Sequence, residues 1–145
     1  MGTFMSTLSF LGDFDLSPIY NLWTANMEQI STQPGAYVLL AATGTRFLYP
    51  TGSSPVFYIG QATNLRKRLL THRKYSADAQ SNRKLSLYYP RYEYAAAFGC
   101  RFAYIRTWQG LSAKALEENL LACFAQQFRS FPTANGAGSW NIIKS

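Results

Sequence analysis

Acidic side chains are scarce in this chain of 145 residues: seven Asp and Glu stand against fourteen Lys and Arg, for a net charge of +7. Histidine and cysteine are scarcer still. One histidine and two scattered cysteines exclude a zinc-finger-type ligand set, which needs four such ligands at close spacings. Any metal should therefore be a hard cation on oxygen ligands. Cys100 and Cys123 fall on a predicted strand and a predicted helix. One pair is too few for a disulfide framework, so both read as reduced core residues of an intracellular protein. Long apolar runs are missing too. None approaches the roughly 20 residues of a membrane span, and the N-terminal "MGTFMSTLSF" has no positively charged leader. The expectation is a soluble, cytoplasmic protein with no membrane partner.

What the chain does have is 48% hydrophobic and 16% aromatic content, enough for one domain with a real core. Its charge is segregated. Residues 1–34 carry no Lys or Arg, whereas residues 61–106 hold ten of the fourteen cations against only Asp78 and Glu93. The block "RKYSADAQSNRKLSLYYPRYEY" interleaves cations with aromatics, as phosphate neutralisation and base stacking require. Nucleic acid is the leading partner, with Arg66, Lys67, Arg73, Lys74, Arg83 and Lys84 as the contacting cations. A solvated basic face without a specific ligand is the alternative.

Local patterns predict an α+β fold. Ser17 and Pro18, followed by Ile19, Leu22, Trp23, Met27 and Ile30 at helical spacing, predict a helix over 17–30. "GAYVLLA" from Gly35 and "VFYIG" from Val56 predict paired antiparallel strands. "TNLRKRLLTHR" predicts a helix capped by Thr63 or Asn64. Residues 75–98 are ambiguous, with Leu85, Leu87, Tyr88 and Tyr89 in a helix ended by Pro90 as one reading. "CRFAYIRTW" has strand character, and "SAKALEENLLACFAQQF" from Ser112 is a strong helix. "PTANGAGSWN" reads as a loop. The expected architecture is a small, mainly antiparallel three-stranded sheet flanked by helices, with residues 1–33 as an extension bearing an extra helix and residues 34–145 as one unit.

The last helix carries an anomaly. Ala113, Leu116, Leu120, Leu121, Cys123, Phe124 and Phe128 define its apolar face, and helical phase puts Glu117 in the middle of that face while Glu118 joins Lys114 on the polar side. A buried carboxylate must be paired, hydrogen-bonded or bound to a cation. It is either the partner of an arginine from the basic segment or a metal ligand at the bottom of a cleft. On the preceding helix Leu65, Leu69 and Leu70 pack, Arg66, Lys67 and Arg73 lie outward, and Arg68 shares a face with His72 four residues on. Arg68 suits bidentate phosphate binding or a structural ion pair. His72 suits proton transfer or phosphate contact, or a structural role. Tyr37 and Tyr58, on the two strands, would by themselves be packing residues.

Taken together, Gly35-Ala36-Tyr37, Tyr58-Ile59-Gly60, Arg68 eight residues past that glycine, His72, a glutamate in "LEENLL" and an asparagine in "PTAN" form an ordered set that resembles the GIY-YIG nuclease domain. The resemblance runs from about Pro34 to about Asn141. It implies a DNA endonuclease that hydrolyses phosphodiester bonds with one divalent ion, Mg²⁺ or Mn²⁺, held by the helix glutamate. Carried over by position, Tyr37 is the general base or water-positioning group and Tyr58 hydrogen-bonds water or phosphate. Arg68 stabilises the phosphate charge, His72 matches a frequent histidine, and Glu117 is the metal ligand. Gly35 and Gly60 serve the site structurally.

Departures are confined. Ala36 stands where the family has isoleucine, at a position asking only for an apolar side chain. The segment between the tripeptides is long, so "TGTRFLYPTGSS" is expected to be an exposed loop reaching substrate. Asn135 fits the Pro-x-x-Asn pattern but lies far from Glu117, and Asn141 is the alternative. With no separate recognition module in view, specificity would come from the chain's own loops, a homodimer or a partner protein. Two other readings stand beside the nuclease: a non-cleaving nucleic-acid-binding module that retains the fold, and a basic protein-interaction subunit.

Overall fold

Why the strand-forming runs end up where they do follows from how much of each is apolar. The computed structural model describes residues 8, 14–81, 89–107 and 111–135. Strand β2, Gly35–Leu40, is buried at every position, as a strand covered on both faces must be. It pairs antiparallel with β5, Val56–Ala62, on one side and with β6, Arg101–Arg106, on the other. A two-residue strand β1, Tyr20–Asn21, adds to the far side of β6. The sheet order is β1-β6-β2-β5, so β5 is an edge strand.

The sheet therefore has four strands, not three, and the fourth replaces the helix expected over 17–30. Local signals favoured that helix, but the edge of β6 offers these backbone groups better partners. The Ser17 N–H donates to the Tyr104 carbonyl, Ser17 Oγ accepts from the Tyr104 N–H, and the Leu22 N–H donates to the Cys100 carbonyl, all at 2.9 Å. Asn21 Oδ1 then accepts from the Trp23 and Thr24 N–H groups to turn the chain. Only Met27–Gln29 is helical, as one 3₁₀ turn capped by Asn26. Leu22 and Ile30 lie in the same core as β2.

Helix α1 spans Leu65–Ser81. Of its two candidate caps Asn64 serves, its Oδ1 accepting from the Lys67 N–H at 3.0 Å. Helix α2 spans Pro90–Phe98. Pro90 thus starts a helix instead of ending one, because its fixed φ and missing N–H suit a first turn. Gly99, at φ 80°, closes the helix. The expected participation of Leu85, Leu87 and Tyr88 lies outside the described residues. Helix α3, Ala113–Phe128, begins at Ser112, whose Oγ accepts from the Ala115 N–H.

Two apolar layers cover the sheet. Tyr37, Leu39, Phe57 and Phe102 face Leu65 and Leu69 of α1 and Ala95 of α2. Val38, Leu40, Ile59 and Ile105 face Leu116, Leu120, Leu121 and Phe124 of α3. The segment expected to be an exposed loop is instead a hairpin, β3 Phe47–Tyr49 and β4 Gly52–Ser54. Phe47 stacks edge-on against Phe57, Tyr94 and Phe98, and Tyr49 against Phe124. Leu48 is 90% exposed, and residues 43, 44, 46 and 50–52 are exposed with it, as expected of this segment. Cys100 is buried beside β6 rather than on it, and both cysteines are free. No helix among the described residues is long and apolar enough to cross a membrane.

Candidate active site

The two glycines of the Gly-Ala-Tyr and Tyr-Ile-Gly tripeptides are fixed by close approach. Tyr37 stands opposite Gly60 in the β2–β5 register. A side-chain carbon on Gly60 would come within 2.5 Å of the Tyr37 hydroxyl, so the phenol occupies the space that glycine leaves. A carbon on Gly35 would collide with the Ile105 carbonyl and with Leu65. Tyr58 pairs with Leu39, two residues along from Tyr37 and on the same face. The Tyr37 and Tyr58 ring centroids lie 6.2 Å apart.

His72 rises from α1 into this layer and is 1% exposed. Its Nε2 meets Tyr37 Oη at 2.5 Å and its Nδ1 meets Tyr92 Oη, from α2, at 2.9 Å. A neutral imidazole has one donor and one acceptor nitrogen, so one tyrosine donates to the ring and the other accepts from it. Burial, and after it Arg91 and Arg68, lower the pKa of His72 to about 3. The histidine is a neutral link between two phenols. Direct phosphate contact, one of the roles expected for it, does not fit this position, whereas proton movement through the Tyr37 hydroxyl does. Burial also holds the Tyr37 phenol well above its ordinary value. Tyr58 is the more open of the two. Its pKa is raised by burial, opposed chiefly by Arg91, with Glu117 adding to the rise and Arg68 opposing it.

Glu117 belongs to α3, on the other face of the sheet, yet it acts on Tyr58 and is acted on by Arg68. The edge position of β5 explains this. Among the described residues no strand lies beyond it, so side chains from helices on opposite faces converge around its rim. Glu117 is half-buried and not enclosed in the apolar face as its helical phase suggests. Its carboxyl pKa is raised by burial and by Glu118, against the opposing pull of Lys114 and Arg68. Among the described residues no hydrogen bond or salt bridge reaches it, so the arginine pairing considered for it is not formed with any described arginine. No cluster of three or more metal-ligating side chains exists among the described residues. A single desolvated carboxylate still fits a Mg²⁺-like ion, which keeps most of its water and takes one or two carboxylates together with substrate phosphate.

The basic residues divide. Arg66 and Arg73, expected to lie outward, are half-buried clamps on the N-terminal segment. Arg66 donates from Nε to the Ile30 carbonyl and from Nη2 to the Glu28 carbonyl. Arg73 donates likewise to the Leu22 and Ala25 carbonyls. Lys67, Arg68 and Lys74 are exposed. Arg83, Lys84 and Asn141 lie outside the described residues. Asn135 sits on the rim itself: its side-chain amide accepts from the Ile59 N–H at 3.0 Å and donates to the Ile59 carbonyl at 2.9 Å. With the Ala134 N–H on the Phe57 carbonyl, it covers part of the open edge of β5.

One residue here went unnoticed in the sequence. Arg91, near the start of α2, places its guanidinium carbon 5.1 Å from the Tyr58 ring centroid, 4.3 Å from that of Tyr89 and 5.0 Å from that of Tyr92. The available signal was its setting in "YYPRYEY", a cation surrounded by aromatic faces. Compared with protein-family models, with curated proteins and with solved structures, the chain matches none.

Proposed function

We propose that the protein is a divalent-metal-dependent endonuclease of the GIY-YIG type, hydrolysing DNA phosphodiester bonds at the rim of β5. The observation that carries the reading is the convergence of Tyr58, Arg68 and Glu117, from a strand and two helices on opposite faces, on one sheet edge. The ordered motif set supports it: the residues that the resemblance marks for chemistry are the ones this edge brings into electrostatic contact.

In this reading Arg68, exposed and cationic, binds a nonbridging phosphate oxygen and offsets the charge that builds as the phosphorus gains a fifth oxygen. Tyr58 orients the attacking water. Tyr37 stands behind it, and its hydroxyl, tied through His72 to Tyr92, forms a buried path along which a proton can be redistributed. With both phenol pKa values raised, neither tyrosine rests as phenolate at neutral pH, so each acts as a hydrogen-bonded group and not as a standing base. Glu117 would hold the metal ion, Mg²⁺ or Mn²⁺, which when bound stabilises charge on the leaving oxygen. Asn135 keeps the β5 edge in register beneath the site.

Against a non-cleaving binding module stands Glu117 itself. A half-buried carboxylate beside phosphate-binding cations repels the ligand unless a cation intervenes. The choice of DNA target, in repair, restriction or otherwise, is assigned to the chain's own surface, a second copy or a partner. The free Cys100 and Cys123 agree with an intracellular setting.

The test is incubation of plasmid and branched DNA with the purified protein in Mg²⁺, Mn²⁺ or EDTA, alongside Glu117→Ala and Arg68→Ala. Metal-dependent cleavage that both variants lose is expected. Binding without cleavage of any substrate by the wild type, or normal cleavage by Glu117→Ala, sinks the reading.

A further inference from the structure

The chain has seven carboxylates for fourteen cations, so some of its arginines need an acceptor from elsewhere. Arg66, Arg73 and Arg101 use backbone carbonyls. Arg91 does not. It is half-buried in a cage of three tyrosine rings, and its Nε is buried with no hydrogen-bond partner among the described residues. The groups acting on its charge are Tyr58, Tyr92, whose hydroxyl also takes a hydrogen bond from it, and Tyr37, with no carboxylate among them. Nor do the neighbouring residues 82–88 contain one.

A desolvated guanidinium with an unused N–H is costly to maintain, by the ordinary penalty for a buried donor without an acceptor. Aromatic faces hold the plane of the cation from several sides, but ring faces accept little from its N–H edge. The cation is therefore oriented and, among the described residues, without a counter-anion, and its solvent-exposed part is left for one. Arg91 and Arg68 both act on Tyr58 and on His72, so two guanidiniums share the tyrosine of the second tripeptide, and of the two only Arg68 also acts on a carboxylate, Glu117. They arise from different helices, which sets them at separate points along an extended polyanion.

We propose that Arg91 is a second phosphate-binding residue of this site, holding a phosphodiester oxygen beside Tyr58 with a guanidinium that the aromatic cage orients in advance. This rests on the nuclease reading for the identity of the polyanion, and the cage explains why arginine suits the position. A planar fork stacks between rings and still offers two parallel donors to a phosphate, which a lysine ammonium cannot do.

The experiment measures binding of a fluorescent DNA duplex across a salt series, with Ca²⁺ in place of Mg²⁺ so that a cation offsets Glu117, for wild type, Arg91→Gln and Arg91→Lys. Arg91→Gln should bind about tenfold more weakly and reduce the salt slope by about 1. Arg91→Lys should keep the slope, because charge is retained, and lose several-fold in affinity with the fork. Unchanged slope and affinity in Arg91→Gln overturn the proposal. Should Arg91→Gln not fold, Arg91→Lys decides: affinity equal to wild type overturns it. If wild type binds no duplex, the nuclease reading fails and inorganic phosphate judges Arg91 alone, through the NMR signal of His72, the chain's one histidine. A saturable shift in wild type that Arg91→Gln lacks supports the anion site. The same shift in both proteins, or none in wild type, overturns it.

Discussion

Tyr37 and Gly60 face each other across the β2–β5 ladder so closely that the volume of the glycine's absent side chain is taken by the phenol. The tyrosine hydroxyl, the His72 ring and the Tyr92 hydroxyl then form one buried chain from strand to helix to helix. Gly60→Ala should therefore act through Tyr37. Overpacking of this kind costs about 1–3 kcal/mol, visible as a lower urea midpoint, and displaces the phenol from His72. Cleavage should fall more steeply than stability accounts for, measured where the variant is still folded.

His72 gives a pH signature. Its folded pKa of about 3 lies below the ordinary 6.5, so between those values the unfolded chain binds a proton that the folded protein refuses. Stability contributed by the neutral ring is present above pH 6.5 and is lost as pH falls toward 3. An NMR titration should show no imidazole transition between pH 5 and 8. His72→Ala should destabilise at neutral pH by about 1–3 kcal/mol for each tyrosine hydroxyl left without a partner.

Glu117 has the opposite sign. Its carboxyl pKa is raised above 4.5 by burial and by Glu118. From 4.5 up to the raised value the folded protein keeps a proton that the unfolded chain releases, so stability declines as pH rises through that window. Glu117→Gln should be at least as stable as wild type at pH 7 by thermal melting, and should lose metal-dependent cleavage. A functional group that costs stability is the trade-off expected of a site.

Arg66 and Arg73 should separate from Lys67 and Lys74. Arg66→Ala and Arg73→Ala each remove two charge-assisted bonds to backbone carbonyls and should lower stability by about 1–2 kcal/mol in urea titration. Lys67→Ala and Lys74→Ala, at exposed positions, should stay within about 0.5 kcal/mol of wild type. Their effect should instead be weaker DNA binding with a shallower salt dependence.

The reach of the sequence follows from which forces act locally. Continuous apolar runs marked β2 and β5, and Ser112 marked the start of α3, because burial on two faces and an N-cap leave their trace in adjacent residues. The stretch from Ser17 to Ile30 carried the same kind of local trace for a helix, yet its backbone pairs with β6, whose edge no local pattern reveals. The short run Phe47–Tyr49 gave too little periodicity to declare a hairpin. Tyr58, Arg68 and Glu117 could be named from motif order, but their meeting at an edge depends on the strand order. Arg66 and Arg73 were read as outward charge because a carbonyl acceptor has no residue type to announce it.

The claim most exposed to test is that Tyr58, Arg68 and Glu117 act as one unit on the rim of β5. Single-turnover cleavage of a DNA substrate in Mg²⁺ by Tyr58→Phe, Arg68→Ala, Glu117→Gln and the pairwise double variants addresses it, with DNA binding measured in parallel. The account predicts a loss of about 100-fold or more for each single variant, with binding largely kept by Tyr58→Phe and Glu117→Gln and weakened in Arg68→Ala, and double variants little worse than the poorer single. Near-normal rates in the single variants, or losses that multiply in the doubles as for independent residues, would contradict it.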